Sequence, residues 1–140
     1  PVLERLAQNL FICASSVAQH AALACFEHES LTEYERRRTE FKARRDYFIP
    51  ALNDLGLTVP VPPDGAFYAW ADCRDACRRL GLKDSWAFAE HLMQHAHVAL
   101  TPGRDFGTHA PGDYVRFSTA SSLQDLQTAA KRIQNLLEAA

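Results

Sequence analysis

At Gly56 the chain changes its repeat, and that change limits what it can fold into. Before it, Tyr34, Phe41, Phe48, Leu52 and Leu55 recur at sevens, a four and a three, which puts them on one face of a long helix. Gly56 is a C-cap residue, and the stretch Thr58-Val59-Pro60-Val61-Pro62-Pro63-Asp64-Gly65 that follows is extended and turn-rich, with no helical period. Residues 66–71, Ala-Phe-Tyr-Ala-Trp-Ala, then read as a short aromatic strand. Helix and strand must therefore share one core.

The rest of the chain extends that pattern. Residues 2–12 and 16–28 read as helices, the second alanine-rich and with Ser15 or Ser16 as its N-cap. Pro50 is expected to kink or break the long helix. Asp84 or Ser85 caps a helix reaching His95, residues 98–101 and 114–118 read as strands, and Ser122 with Asp125 opens a closing helix. Its stripe is Leu123, Leu126, Ala130, Ile133 and Leu137. The expected class is α+β, a small mixed sheet covered by helices in a two-layer sandwich, with residues 1–140 as a single domain.

Composition narrows the partners. The chain has 140 residues, enough for one domain with a real core, and its formal charge of -2 gives no electrostatic reason to expect nucleic acid or an anionic membrane. The charged face of the long helix mixes Glu33, Glu35, Glu40 and Asp46 with Arg36, Arg37, Arg38, Lys42, Arg44 and Arg45, and reads as a solvated face of ion pairs. No run approaches the roughly 20 apolar residues of a bilayer span, and a cytoplasmic location is expected. Cys13, Cys25, Cys73 and Cys77 are too few and too unevenly placed for a disulfide framework, and are expected to be reduced and mostly buried. The chain opens on Pro1 and enters an amphipathic pattern almost at once, so it is expected to be a piece of something longer.

Chemical candidates are few. Cys73-x3-Cys77 with His91-x3-His95 approaches the spacing of a zinc finger, yet a finger needs a hairpin under its cysteines, where residues 75–80 read as a helical turn. No metal is expected. Cys13 lies between Ile12 and Ala14, apolar neighbours that suit a buried structural thiol better than a nucleophile, and Gly103-Arg104-Asp105-Phe106-Gly107 lacks both the Walker lysine and dinucleotide spacing. Arg116 is different. Strand alternation puts Val115 and Phe117 on one face and Tyr114, Arg116 and Ser118 on the other, so the arginine points out of the sheet beside a loop with Gly103, Gly107 and Gly112. On spacing alone it is either a surface ion-pair member or a bidentate receptor for a carboxylate.

Five ordered blocks carry a resemblance. They are residues 16–22 (Ser-Val-Ala-Gln-His-Ala-Ala), Arg44-Arg45-Asp46, residues 63–68 (Pro-Asp-Gly-Ala-Phe-Tyr), residues 98–107 (Val-Ala-Leu-Thr-Pro-Gly-Arg-Asp-Phe-Gly) and residues 114–118 (Tyr-Val-Arg-Phe-Ser). Together they resemble the C-terminal small domain of class I/II, fold-type-I pyridoxal-phosphate aminotransferases, the aspartate-aminotransferase-like group. The resemblance implies that Arg116 grips the substrate α-carboxylate. It also implies that residues 1–30 lead toward a large domain that precedes these blocks and carries the Schiff-base lysine.

Lys42, Lys83 and Lys131 do not lie in the Ser-x-x-Lys setting the family uses. The expectation is therefore that the parent protein exchanges an amino group between an amino acid and a 2-oxo acid with pyridoxal 5'-phosphate, as a homodimer. This chain alone would hold no cofactor and have no activity. Ser15 and Ser16 fall where the family lets a neighbouring subunit reach toward the cofactor phosphate, or they cap the helix that follows. Gly65 and Phe67 shape either the substrate mouth or the core. A competing reading is a free-standing, non-catalytic binding module that keeps the fold.

Overall fold

The computed structural model describes residues 1–139 and divides into two compact units, residues 1–39 and 40–140. The first holds α1 (Val2–Leu10), α2 (Ser16–Ala24) and the start of α3 (His28–Asp54). Ser15 caps α2 as its sequence position predicts: its backbone is extended and its hydroxyl accepts from the Ala18 N–H at 3.3 Å. Neither α1 nor α2 buries a residue, and Leu3, Ile12 and Val17 are each about 80% exposed. Cys13 and Cys25 are exposed as well, so the expectation of buried thiols fails for these two. The cause is local, because this unit has no core to receive them.

The charged face of α3 is paired with itself. Arg36 and Arg37 both donate to Glu33, and their hydrogen bonds hold its carboxyl down to about 2. Lys42 meets Asp46 one turn on. Arg44 and Arg45 depart from a solvated face, because both are largely buried and donate to loop carbonyls, Ala120 at 3.0 Å and Pro63 at 3.1 Å. Pro50 sits inside α3 on an exposed position, and the helix runs on to Asp54 without the expected break. Of the predicted apolar face, Phe48 and Leu52 are buried with Ile49, whereas Tyr34 is 46% exposed.

The second unit carries the sheet. Strands β1 (Tyr68–Asp72), β2 (Thr101–Pro102) and β3 (Tyr114–Ser118) lie in the order β1-β3-β2, and both pairings are antiparallel. The expected strand at 98–101 shortens to two residues shifted toward its C-terminal end. Pro102, which has no N–H to give a ladder, is tolerated there because β2 lies at an edge of the sheet. Helices α4 (Arg74–Leu80), α5 (Ser85–His95) and α6 (Leu123–Glu138) complete the unit. Gly81 ends α4 at φ +67, in the left-handed region a C-capping glycine adopts without strain. Asp84 and Ser122 cap α5 and α6 through Ala87 N–H and Asp125 N–H, as the sequence implies.

Alternation then separates the two faces of the sheet. Ala69 and Ala71 on β1 and Val115 and Phe117 on β3 point inward and are buried. They meet Phe48 and Leu52 of α3, Phe88 and Leu92 of α5, and Leu126, Ala130, Ile133 and Leu137 of α6 in one cluster. Phe48 meets Phe117 edge to face, with ring centroids 5.8 Å apart. The two alanines let the helices approach the sheet closely. The class is α+β, a small sheet covered by helices, as expected.

Candidate functional site

The outward face of the same strands builds the site. In register, Arg116 on central β3 stands opposite Trp70 of β1 and Thr101 of β2. Tyr68 of β1 is the diagonal neighbour of Arg116, a separation across which long side chains still meet. The Arg116 guanidinium carbon lies 3.9 Å from the centroid of the Tyr68 ring and 4.3 Å from that of Phe106. Trp70 stacks on Tyr114 at 5.7 Å and meets Phe106 edge-on at 5.6 Å. The arginine is half-buried in an aromatic frame.

Charge pairing bears on the two readings of this arginine. Among the described residues, no ion pair or hydrogen bond engages the Arg116 side chain. A strand arginine that served as half of a surface ion pair would have its acid beside it. Aromatic faces attract the cation without accepting all of its N–H groups, so the donor fork stays available to an anion.

Phe106 comes from a 3-10 turn, Gly103–Phe106, that follows β2 directly. A glycine in a loop beside Arg116 could let backbone approach a ligand closely. Gly103 instead lets backbone approach backbone, since a Cβ there would stand 2.5 Å from the Pro111 carbonyl oxygen and 2.6 Å from that of Tyr114. Both obstacles are main chain and neither can swing away. Gly103→Ala is accordingly expected to cost about 2 kcal/mol, by the usual cost of overpacking, read as a lowered urea midpoint with an unchanged slope. An unchanged midpoint would show that the turn yields freely.

The remaining sequence candidates divide by unit. Ser15 and Ser16 lie in the first unit, exposed, with Ser15 engaged as a cap, and Arg116 lies in the second. Phe67 is 38% exposed and its ring meets Phe41 and Tyr68, so it belongs to the surface aromatic group and not to the core. Gly65 is exposed with open space where a Cβ would stand. Cys73 and Cys77 are buried around the start of α4, where Cys73 Sγ donates to the Asp113 carbonyl at 3.2 Å. Its thiol is pushed well above the ordinary range, first by its hydrogen bond with Cys77 and then by burial. Among the described residues, no group of three or more His, Cys, Asp and Glu side chains is arranged to hold a metal ion. His91 and His95 stack on α5 with ring centroids 4.4 Å apart, and burial together with the neighbouring His95 lowers the pKa of His91.

The profile of the family described as aminotransferase class I and II matches residues 2–133. The chain belongs to the class I and II aminotransferases. It is 33% identical over 132 residues to the valine--pyruvate aminotransferase of Mycobacterium tuberculosis, covering 94% of this chain and 33% of that protein. Against the aspartate aminotransferase of Geobacillus stearothermophilus it is 37% identical, covering 89% of this chain and 31% of the other. A crystal structure of an aminotransferase from Mycobacterium tuberculosis superposes with a TM-score of 0.83 at 32% identity, covering 96% of this chain and 34% of that one. The chain thus spans about a third of the length of the relatives it matches. Its fold is that of fold-type-I aminotransferases.

Sequence reasoning singled out Arg116 but not the rings around it. Tyr68 and Trp70 carried a signal, since they share the outward parity of β1 just as Arg116 does on β3. Phe106 carried none, because a 3-10 turn has no period long enough to read. Among the described residues of this aminotransferase chain, no helix is long and apolar enough to cross a membrane.

Proposed function

We propose that this chain is the C-terminal small domain of a pyridoxal-phosphate-dependent aminotransferase, in which Arg116 binds the α-carboxylate of the amino acid or 2-oxo acid. The observation that carries this reading is an arginine on the central strand of the sheet, half-buried among rings, with no acid partner among the described residues. Two parallel N–H donors to the two carboxylate oxygens fix a substrate's position and its orientation together, which a lysine ammonium cannot do. That orientation sets the Cα–H bond for proton removal, a contribution of positioning.

The covalent anchorage of the cofactor does not fit the residues present. A Schiff-base lysine must be activated by desolvation or by a neighbouring cation, whereas Lys83 has an 81% exposed side chain 3.8 Å from Asp84. Lys42 pairs with Asp46 and Lys131 donates to Gln134. We therefore assign that lysine to the rest of the full-length protein, where pyridoxal phosphate supplies the electron sink for the carbanion. This chain alone is inactive in this reading. Ser15 or Ser16 would contribute a hydroxyl toward the cofactor phosphate, and Ser15 has a proton to donate even while its oxygen caps α2.

Residues 1–30 lead toward the large domain, and the exposed apolar side chains of α1 and α2 suit a segment covered by further protein. The full-length protein is a cytoplasmic homodimer that exchanges amino groups between an amino acid and a 2-oxo acid. A purified full-length protein incubated with pyridoxal phosphate is expected to show the visible absorption of a lysine imine, which an amino acid discharges and a lysine replacement abolishes. A protein that takes up no cofactor, or an amino acid that leaves the band untouched, would sink the reading.

A further inference from the structure

Two side chains leave the Gly103–Phe106 turn, and each ends on a contact between a cation and a ring. The Arg104 guanidinium carbon lies 3.1 Å from the centroid of Trp86 on α5, and the Phe106 ring lies 4.3 Å from the guanidinium carbon of Arg116 on β3. The turn is thus pinned to a helix through Arg104 while Phe106 reaches the candidate grip. Its backbone is held between these points, because Gly103 is wedged against the Pro111 and Tyr114 carbonyls. Among the described residues, no ion pair engages Arg104, so no carboxylate competes with Trp86 for it. Trp70 closes the frame by meeting Phe106 edge-on at 88° between ring planes.

We propose that Phe106, anchored through the Arg104–Trp86 contact, is a positioning residue for Arg116, an inference that rests on reading Arg116 as the carboxylate grip. An arginine held by an acid is fixed in place but loses donors to that acid. An arginine held by rings is fixed while its donors stay free, and the rings strip water from the guanidinium before a substrate arrives. Such preorganisation favours the charged ligand specifically. A leucine at 106 would preserve apolar bulk but not the ring quadrupole that attracts the cation, whereas a tyrosine would preserve both.

The test uses the full-length, cofactor-loaded protein and the amino acid turned over fastest of the common twenty. Steady-state kinetics give KM and kcat, and calorimetry gives Kd for the deaminated acid of that amino acid and for its neutral amide, isovalerate and isovaleramide if the amino acid is valine. Phe106→Leu is expected to raise KM and the acid Kd about fivefold to tenfold, the range of a partly desolvated cation–π contact, with kcat within about twofold and the amide Kd unchanged. Phe106→Tyr restores the original values, and Trp86→Leu moves the acid Kd in the same direction by about threefold. Phe106 is 44% exposed and Trp86 37%, so neither change opens the core.

Equal shifts for acid and amide, no shift for either, or a tyrosine that fails to restore binding would overturn the inference. Arg116→Ala separates the two levels. If it leaves the preference for acid over amide intact, the reading of Arg116 itself falls; if it abolishes that preference while Phe106→Leu does not weaken it, only the role of Phe106 falls.

Discussion

Replacing Arg116 by alanine in the full-length protein is expected to lower kcat/KM for its amino-acid substrate by about 10²- to 10³-fold, with cofactor occupancy unchanged. Removing one partner of a hydrogen-bonded, partly buried charge pair costs about 2–5 kcal/mol, and the half-burial of Arg116 places it away from the upper end. In the proposed role the loss has two parts: the substrate carboxylate would enter the aromatic frame with no cation to meet it, and the Cα–H bond would no longer be held in one orientation. Arg116→Lys should recover only a small fraction, since it returns the charge without the fork. Steady-state kinetics on both variants, with the cofactor absorption as the occupancy check, measure this directly. Kinetics unchanged by the alanine would remove Arg116 from substrate binding altogether.

The second large effect is on folding. Phe88 is fully buried on α5, inside the cluster that joins α3, α5, α6 and the inward face of the sheet. Phe88→Ala is expected to cost about 3–5 kcal/mol, the lost transfer energy of the ring together with the cavity it leaves. A domain is stable by only about 5–15 kcal/mol, so the variant should be marginal at room temperature. Met93 lies on the same helix at 55% exposure, and Met93→Ala should stay within about 0.5 kcal/mol of the parent. Urea unfolding of the two variants side by side measures the contrast. A cost below about 1 kcal/mol for Phe88→Ala would mean that the core relaxes around the gap.

What the sequence made legible was whatever depends on neighbours close along the chain. Ser15, Asp84 and Ser122 cap the helices they precede, and β3 occupies residues 114–118 with Arg116 on the expected face. Capping and alternation are local geometry, so residue type and spacing determine them. The misses depend on contacts between distant segments. The β2 pairing falls on Thr101 and Pro102 because β3 supplies partners there, and nothing within residues 98–102 records where β3 lies.

Arg44 and Arg45 read as part of a solvated face, yet their donors reach carbonyls 76 and 18 residues away. The apolar sequence neighbours of Cys13 suggest burial, but burial is a property of the unit it sits in, and α1 and α2 bury nothing. The proposed grip shows the same division. Arg116 is announced by its own strand, and Tyr68 by the parity of the next, whereas Phe106 arrives from a turn that only the folded chain places over the guanidinium.

The strand order β1-β3-β2 divides the site in time as well as in space. A central strand is bonded on both sides, so its amides exchange only when much of the sheet opens, while a short turn outside the ladder frays on its own at far lower cost. Arg116 is built into that central strand and Phe106 into a turn outside the ladder. The charge is held by the ladder, and the ring beside it, pinned through Arg104 and Trp86, moves only when its own turn opens, so such an opening leaves the arginine in place.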